Sequence, residues 1–335
     1  MLYRKLGKSG IQVSAVGLGT WAMGGGEWWS GSDDERSIQT IHKALDAGVN
    51  LVDTAPGYGY GKSESIVGQA IKGRRDQVVL STKCGLWWLD ERGTDFFSID
   101  GVDVRRCLEP DTIKREIELS LKRLDTDYLD VYFTHWQSEP PYFTPVKDTM
   151  KCLMDLKAQG MIKAIGASNV NAGHIEEYCE YGELDVIQEK YSMLDRGIEE
   201  TLLPACEKHG VSIMAYSPLE QGLLTGKIRM DTVVPEKESR NRIPWVYDLS
   251  DRKRVLDMLD GWADLTAAHG CSLSDLVVAW TMNQPGITTV LCGARKPEHI
   301  LENAKAADVS LTAEEIARMR KDVLALGSPK GEYRG

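Results

Sequence analysis

Four polar residues close or directly follow short apolar runs. Asp53 sits in Leu51-Val52-Asp53-Thr54, Tyr58 follows in Gly57-Tyr58-Gly59, Lys83 ends Leu80-Ser81-Thr82-Lys83, and His135 ends Val131-Tyr132-Phe133-Thr134-His135. Each alone has an ordinary reading: a turn-forming Asp, a surface Tyr, a solvated Lys, a core His. Together they suit one chemistry. Reducing a carbonyl by hydride transfer builds negative charge on its oxygen, which then needs a proton and fixed hydrogen-bond donors. A phenol ionises near 10, and bringing it towards 7 takes roughly 4 kcal/mol of preferential stabilisation of the phenolate. A nearby ammonium in a water-poor cleft can supply that, and a carboxylate keeps the ammonium charged and aimed. The set thus reads as Tyr58 the acid, Lys83 the tuner, Asp53 the anchor and His135 the orienter of the carbonyl oxygen.

Such a set works only if something brings its members together. Short apolar runs predict strands at Val16–Gly19, Leu51–Thr54, Val78–Thr82, Leu129–Thr134, Ala164–Ala167, Val186–Glu189, Ile213–Tyr216 and Thr289–Cys292, with amphipathic segments between them. Alternating strands and helices imply a parallel sheet, and eight units imply a closed (βα)8 TIM barrel, whose strand ends converge on one face. Tyr3–Leu6 and Gln12–Ser14 flank Gly7-Lys8-Ser9-Gly10 and read as an N-terminal β-hairpin. Ser32-Asp33-Asp34-Glu35 reads as a capping box, and Thr312 with Glu315 opens an extra C-terminal helix. Trp87 to Pro110 and Pro218 to Ser250 read as long irregular loops at the active face. We expect one domain over residues 1–327 and a flexible tail over 328–335.

The remaining composition narrows the partners. A net charge of −10 without a basic run excludes a nucleic-acid footprint. No apolar run reaches the length needed to span a bilayer. Seven cysteines without a Cys-x-x-Cys pair, and a polar start, point to reduced thiols in the cytoplasm. The six histidines are scattered without metal-ligand spacing. Trp21, Trp28, Trp29, Trp87, Trp88 and Trp136 fall near strand ends; loop packing accounts for some, and others could wall an apolar or sugar-like substrate. Gly57-x-Gly59-x-Gly61 has the wrong spacing for a Rossmann fingerprint.

The ordered set of motifs resembles the aldo-keto reductase superfamily, in the subgroup of bacterial general stress reductases and potassium-channel β subunits. The resemblance rests on Asp53-Thr54-Ala55-Pro56-Gly57-Tyr58-Gly59 with Ser63-Glu64, on Ser81-Thr82-Lys83, Thr134-His135-Trp136 and Ile165-Gly166-Ala167-Ser168-Asn169, and on Ala215-Tyr216-Ser217-Pro218-Leu219 with Gln221-Gly222-Leu223-Leu224-Thr225-Gly226-Lys227. It implies an NADPH-dependent reduction of aldehydes or ketones, with NADH the weaker alternative, by a monomer or weak homo-oligomer. Ser168, Asn169 and Gln188 would hold the nicotinamide amide and Tyr216 would stack on its ring, with Thr20, Trp21 and Asp53 beside them. Ser217, Pro218, Leu219, Gly222 and Lys227 would follow the pyrophosphate. Gly293, Arg295, His299, Glu302 and Asn303 would surround the adenosine 2′-phosphate. Trp21, Tyr58, Trp87, His135 and Trp136 would form the substrate pocket. The chain departs from the family pattern in carrying His299 where Arg or Gln is frequent and Arg295 where Ser or Thr is. A His299 that titrates near 6.5 would strengthen phosphate binding on protonation. Two other readings stay open: an NADPH-holding redox sensor with slow turnover, and a barrel isomerase or lyase without nicotinamide.

Overall fold

In a computed structural model that describes residues 1–29 and 31–334, eight parallel strands close into a barrel in sequential order. They are β1 (Val16–Gly19), β2 (Leu51–Asp53), β3 (Val79–Cys84), β4 (Leu129–Thr134), β5 (Ile162–Ser168), β6 (Val186–Lys190), β7 (Ser212–Tyr216) and β8 (Ile287–Gly293). β8 pairs back onto β1 through Val290 opposite Val16 and Gly293 opposite Gly19, which completes the ring. Parallel neighbours need long crossovers, and the amphipathic helices between the strands provide them.

Two apolar layers hold this arrangement. Leu51, Val131, Phe133, Ala164, Val186, Met214 and Leu291 point inward and fill the barrel as one buried cluster. Leu6 and Val13 of the N-terminal hairpin, Tyr3–Lys5 paired with Gln12–Ser14, belong to the same cluster. The hairpin therefore plugs the N-terminal mouth, and the Gly7 N–H donates to Ser212 Oγ at the start of β7. Outward-facing residues such as Val16, Val52, Leu80, Tyr132, Ile165 and Ile187 pack under the helix ring. The alternation of inward and outward residues is the two-residue period of a strand, and full burial of such side chains contributes ~1.5–3 kcal/mol each.

Several expectations are revised. The cap of the helix Asp34–Asp46 is Asp33, whose carboxylate accepts from the Arg36 N–H; Ser32 instead donates to the Met23 carbonyl. Thr312 and Glu315 do form the reciprocal box on Ala313–Leu326. The stretch from Trp87 to Pro110 is not irregular: Leu86–Trp87, Val102–Arg106 and Thr94–Ile99 form a three-stranded antiparallel sheet. Its hairpin turns on Asp100 and Gly101, both at positive φ, with Ile99 opposite Val102. That is the two-residue turn whose twist matches the strands, and Asp-Gly is its sequence signal. The region 218–250 holds short 3-10 turns at Glu220–Thr225 and Ser239–Arg242 and a one-turn helix at Pro244–Tyr247. The segment expected to be a loose tail makes definite contacts. The N–H groups of Lys330 and Gly331 donate to Asp251, the Tyr247 hydroxyl donates to the Glu332 carbonyl, and Arg334 stacks on the Tyr247 ring. Gly335 lies outside the described residues. Among the described residues no helix is long and apolar enough to cross a membrane.

Candidate active site

Strand register places the four candidate groups. Asp53 lies opposite Ser81, so Lys83, two residues further along β3, points to the same interior face. The Asp53 carboxylate accepts three hydrogen bonds: Ser81 Oγ and Gln188 Nε2 donate to Oδ1 at 2.7 and 2.9 Å, and Lys83 Nζ donates to Oδ2 at 2.7 Å. The ammonium spends its other protons on the Thr54 carbonyl at 2.9 Å and the Tyr58 hydroxyl at 3.3 Å. His135 follows β4 and sets its ring edge-on to Tyr58, with centroids 5.8 Å apart.

Tyr58 is held from behind by the loop after β1. A Cβ at Gly24 would lie 2.6 Å from the Tyr58 carbonyl carbon, and one at Gly59 only 2.3 Å from the Gly24 oxygen. Both positions require glycine because the two backbones touch.

Burial governs the protonation states. Burial, and then the Asp53 charge, push the Tyr58 phenol well above its usual 10. This reverses the expectation of a phenol drawn towards 7: with Asp53 beside Lys83, the pair presents little net charge, and loss of water disfavours phenolate. Burial, and then Lys83, hold His135 well below 6.5, so its imidazole is neutral at pH 7. Burial lowers Lys83 from the usual lysine range while Asp53 pulls it back up. At neutral pH the site thus presents a protonated phenol and a neutral imidazole, two donors for a developing oxyanion.

Above these groups opens a cleft of about 960 Å³, large enough for a dinucleotide. It is lined by Tyr58, His135 and Trp136, and by Thr20, Trp21, Asp53, Ser168, Asn169, Gln188, Tyr216, Ser217, Pro218, Leu219, Gly222, Lys227, Gly293, Arg295, His299, Glu302 and Asn303. Lys83 lies beneath its floor. Trp87 does not line the cleft: Leu86 faces in and Trp87 faces away, donating through Nε1 to Asp90 with Arg92 over its ring. Strand alternation decides this. Phe96, Phe97 and Trp28 complete the aromatic wall. The two Phe come from the antiparallel sheet, so reading that stretch as loop concealed them; the Asp100-Gly101 turn signal could have revealed it.

The floor of the cleft suits an amide. Asn169 Nδ2 donates to the His135 carbonyl at 2.8 Å and its Oδ1 accepts from the Tyr216 hydroxyl at 2.9 Å. Asn169, Ser217 and Gln221 all have positive φ, a strain that the surrounding packing must sustain. At the outer end the helix Pro297–Lys305 points its N-terminus into the cleft, with Arg295, Lys296 and His299 around it. The positive dipole end there suits a phosphate, although Pro297 carries no N–H and the His299 N–H donates to the Lys296 carbonyl. Arg240 and Arg242, not singled out from the sequence, also line the cleft: Arg240 lies near Arg295 but is paired with Glu238, and Arg242 stacks on Trp28 of the aromatic wall. Two expectations change. Lys227 is already paired with Glu302 at 3.1 Å. His299 is half-buried, and burial, Lys227 and Lys296 lower it below 6.5.

The model of the Aldo/keto reductase family matches residues 15–322. The chain belongs to that family. It is 46% identical to an NADH-specific methylglyoxal reductase of Escherichia coli (strain K12), over 96% of this chain and 98% of that protein. A probable voltage-gated potassium channel subunit beta of Oryza sativa subsp. japonica is 32% identical over the full length of both. Among solved structures, the glycerol dehydrogenase AKR11B4 from Gluconobacter oxydans superposes with a TM-score of 0.87 at 34% identity, covering 99% of this chain and 98% of that one. An aldo-keto reductase from Klebsiella pneumoniae in complex with NADPH gives 0.73 at 27%, covering 100% and 99%. This aldo-keto reductase is accordingly an oxidoreductase of carbonyl groups that uses a nicotinamide cofactor.

Proposed function

We propose that the protein reduces small aldehydes and ketones to alcohols, with Tyr58 as the general acid. The observation that carries this is the buried chain Asp53–Lys83–Tyr58 opening into the cleft beside the neutral His135. The reduced nicotinamide supplies a hydride when bound. Tyr58 gives its proton to the carbonyl oxygen, and its raised ionisation keeps that proton available at neutral pH. His135 donates a second hydrogen bond to the same oxygen. Lys83 receives part of the charge left on Tyr58, and Asp53 fixes Lys83. Ser168, Asn169 and Gln188 bind the nicotinamide amide, Tyr216 covers its ring, and Trp21, Trp28, Phe97 and Trp136 exclude water from the substrate.

For the cofactor we favour NADPH. Arg295, Lys296 and the helix terminus concentrate positive charge at the outer end, where a 2′-phosphate would lie, while Arg240 beside them is paired with Glu238. NADH is the competing reading, supported by the NADH-specific relative and by the neutralisation of Lys227 through Glu302. The likeness to potassium-channel β subunits keeps one further reading in play: a sensor that holds the cofactor and turns over slowly. Stopped-flow oxidation of bound NADPH and NADH by a panel of aldehydes, dicarbonyls and ketones separates these readings. Rates near zero across the panel with tight binding would support the sensor, and no binding of either nucleotide would overturn both.

A further inference from the structure

Glu189 takes no part in the chemistry described above, yet it is 7% exposed beside the nicotinamide end of the cleft. It follows Gln188 on β6. Gln188 points inward to Asp53, so Glu189 points outward, between the barrel wall and the helices. There its Oε1 accepts the Val170 N–H at 2.8 Å. The neighbouring Asn169 N–H makes a long bond of 3.4 Å to the Gln188 carbonyl and lies close enough to the carboxylate to oppose its burial. Burial pushes this carboxyl up to about 8, opposed only by those two backbone donors. The backbone that it grips is the left-handed turn at Asn169, φ 55°.

The position of that turn matters because the Asn169 side chain is shared. Its amide nitrogen holds the backbone carbonyl of His135 and its oxygen holds the Tyr216 hydroxyl. Asn tolerates the left-handed region better than most residues, so what neighbours must fix is where the turn sits, and a buried N–H stripped of its acceptor reorganises to find another. We propose that Glu189 is a positioning residue of the reaction: its carboxyl clamps the Asn169–Val170 backbone so that the Asn169 amide faces the nicotinamide. This rests on the cofactor placement proposed above. It assigns Glu189 a role through Asn169, not through contact with substrate.

The effect should be confined to one end of the cofactor, and that separates it from general loosening. In the full chain, Glu189→Ala, Glu189→Asp and Glu189→Gln are titrated by tryptophan fluorescence with NADH and NADPH, and with ADP-ribose, which lacks the nicotinamide. Ala is expected to weaken the dinucleotides ~10-fold or more and ADP-ribose less than ~2-fold. Asp, which is one methylene too short to reach Val170, should follow Ala and serves if Ala does not fold. Gln keeps an acceptor oxygen and resembles the protonated carboxyl, so it should restore dinucleotide affinity to within ~3-fold. Equal weakening of ADP-ribose, unchanged dinucleotide affinity in Ala and Asp, or Gln as weak as Ala would each overturn the proposal. A wild-type chain that binds no dinucleotide would instead remove the cofactor placement itself.

Discussion

Lys83 and Asp53 form an ion pair sealed from solvent: Nζ lies 2.7 Å from Oδ2, with side-chain exposures of 0% and 3%. A pair so buried cannot lose one member cheaply, because the other is left as an uncompensated charge. Asp53→Asn is expected to lower the unfolding free energy by about 3–5 kcal/mol. The deficit should shrink at high pH, where the orphaned Lys83 can shed its proton. Urea unfolding of wild type and variant at neutral and alkaline pH checks this. A variant of wild-type stability would mean that the pair is not what holds this part of the floor.

Tyr58→Phe removes the proton donor and leaves the aromatic wall in place. Turnover should fall by about 10²–10⁴, the span of general acid catalysis. Cofactor affinity should stay within about 2-fold, since the phenol holds no candidate nicotinamide contact. Steady-state rates and fluorescence titration read the two separately. Normal turnover in the variant would falsify the acid role.

The pH profile follows from the two directions found at the site. Tyr58 is raised well above 10, and a phenol with raised ionisation remains a donor up to that point and stops donating only beyond it. His135 is held well below 6.5, so it stays neutral until the solution is acidic. Reductive kcat/KM at saturating cofactor should therefore be flat between about pH 7 and 9. A descending limb near 7 would place Tyr58 in the range first expected from its sequence neighbours, and a limb near 6.5 would restore an ordinary histidine.

Cofactor choice is testable at the outer end of the cleft. Arg295→Ala should weaken NADPH by ~10-fold and NADH by less than about 2-fold. His299 is lowered by burial and by Lys227 and Lys296, so its proton, and the extra cation, arrive only below about pH 6.5. NADPH affinity should rise relative to NADH as pH falls through that region, and His299→Gln should abolish the rise. Calorimetric titrations at several pH values measure both. Equal losses of the two cofactors in Arg295→Ala would locate Arg295 away from a 2′-phosphate.

The eight barrel strands, the hairpin plug and the residue types of the site were all fixed by local pattern. Eight apolar runs at regular intervals fit a closed ring of strands better than an open sheet, and Asp53, Tyr58, Lys83 and His135 fall at the ends of three consecutive ones. Only the folded chain decided what those residues are chemically. Tyr58 is driven up rather than down first because it is buried and then because the Asp53 charge faces it, and burial depth is a sum over residues remote in sequence. Trp87 turned away from the cleft, Phe96 and Phe97 turned towards it, and Lys227 found Glu302 for the same reason. A side chain's direction follows from strand register and loop packing, which the order of residue types does not encode one position at a time.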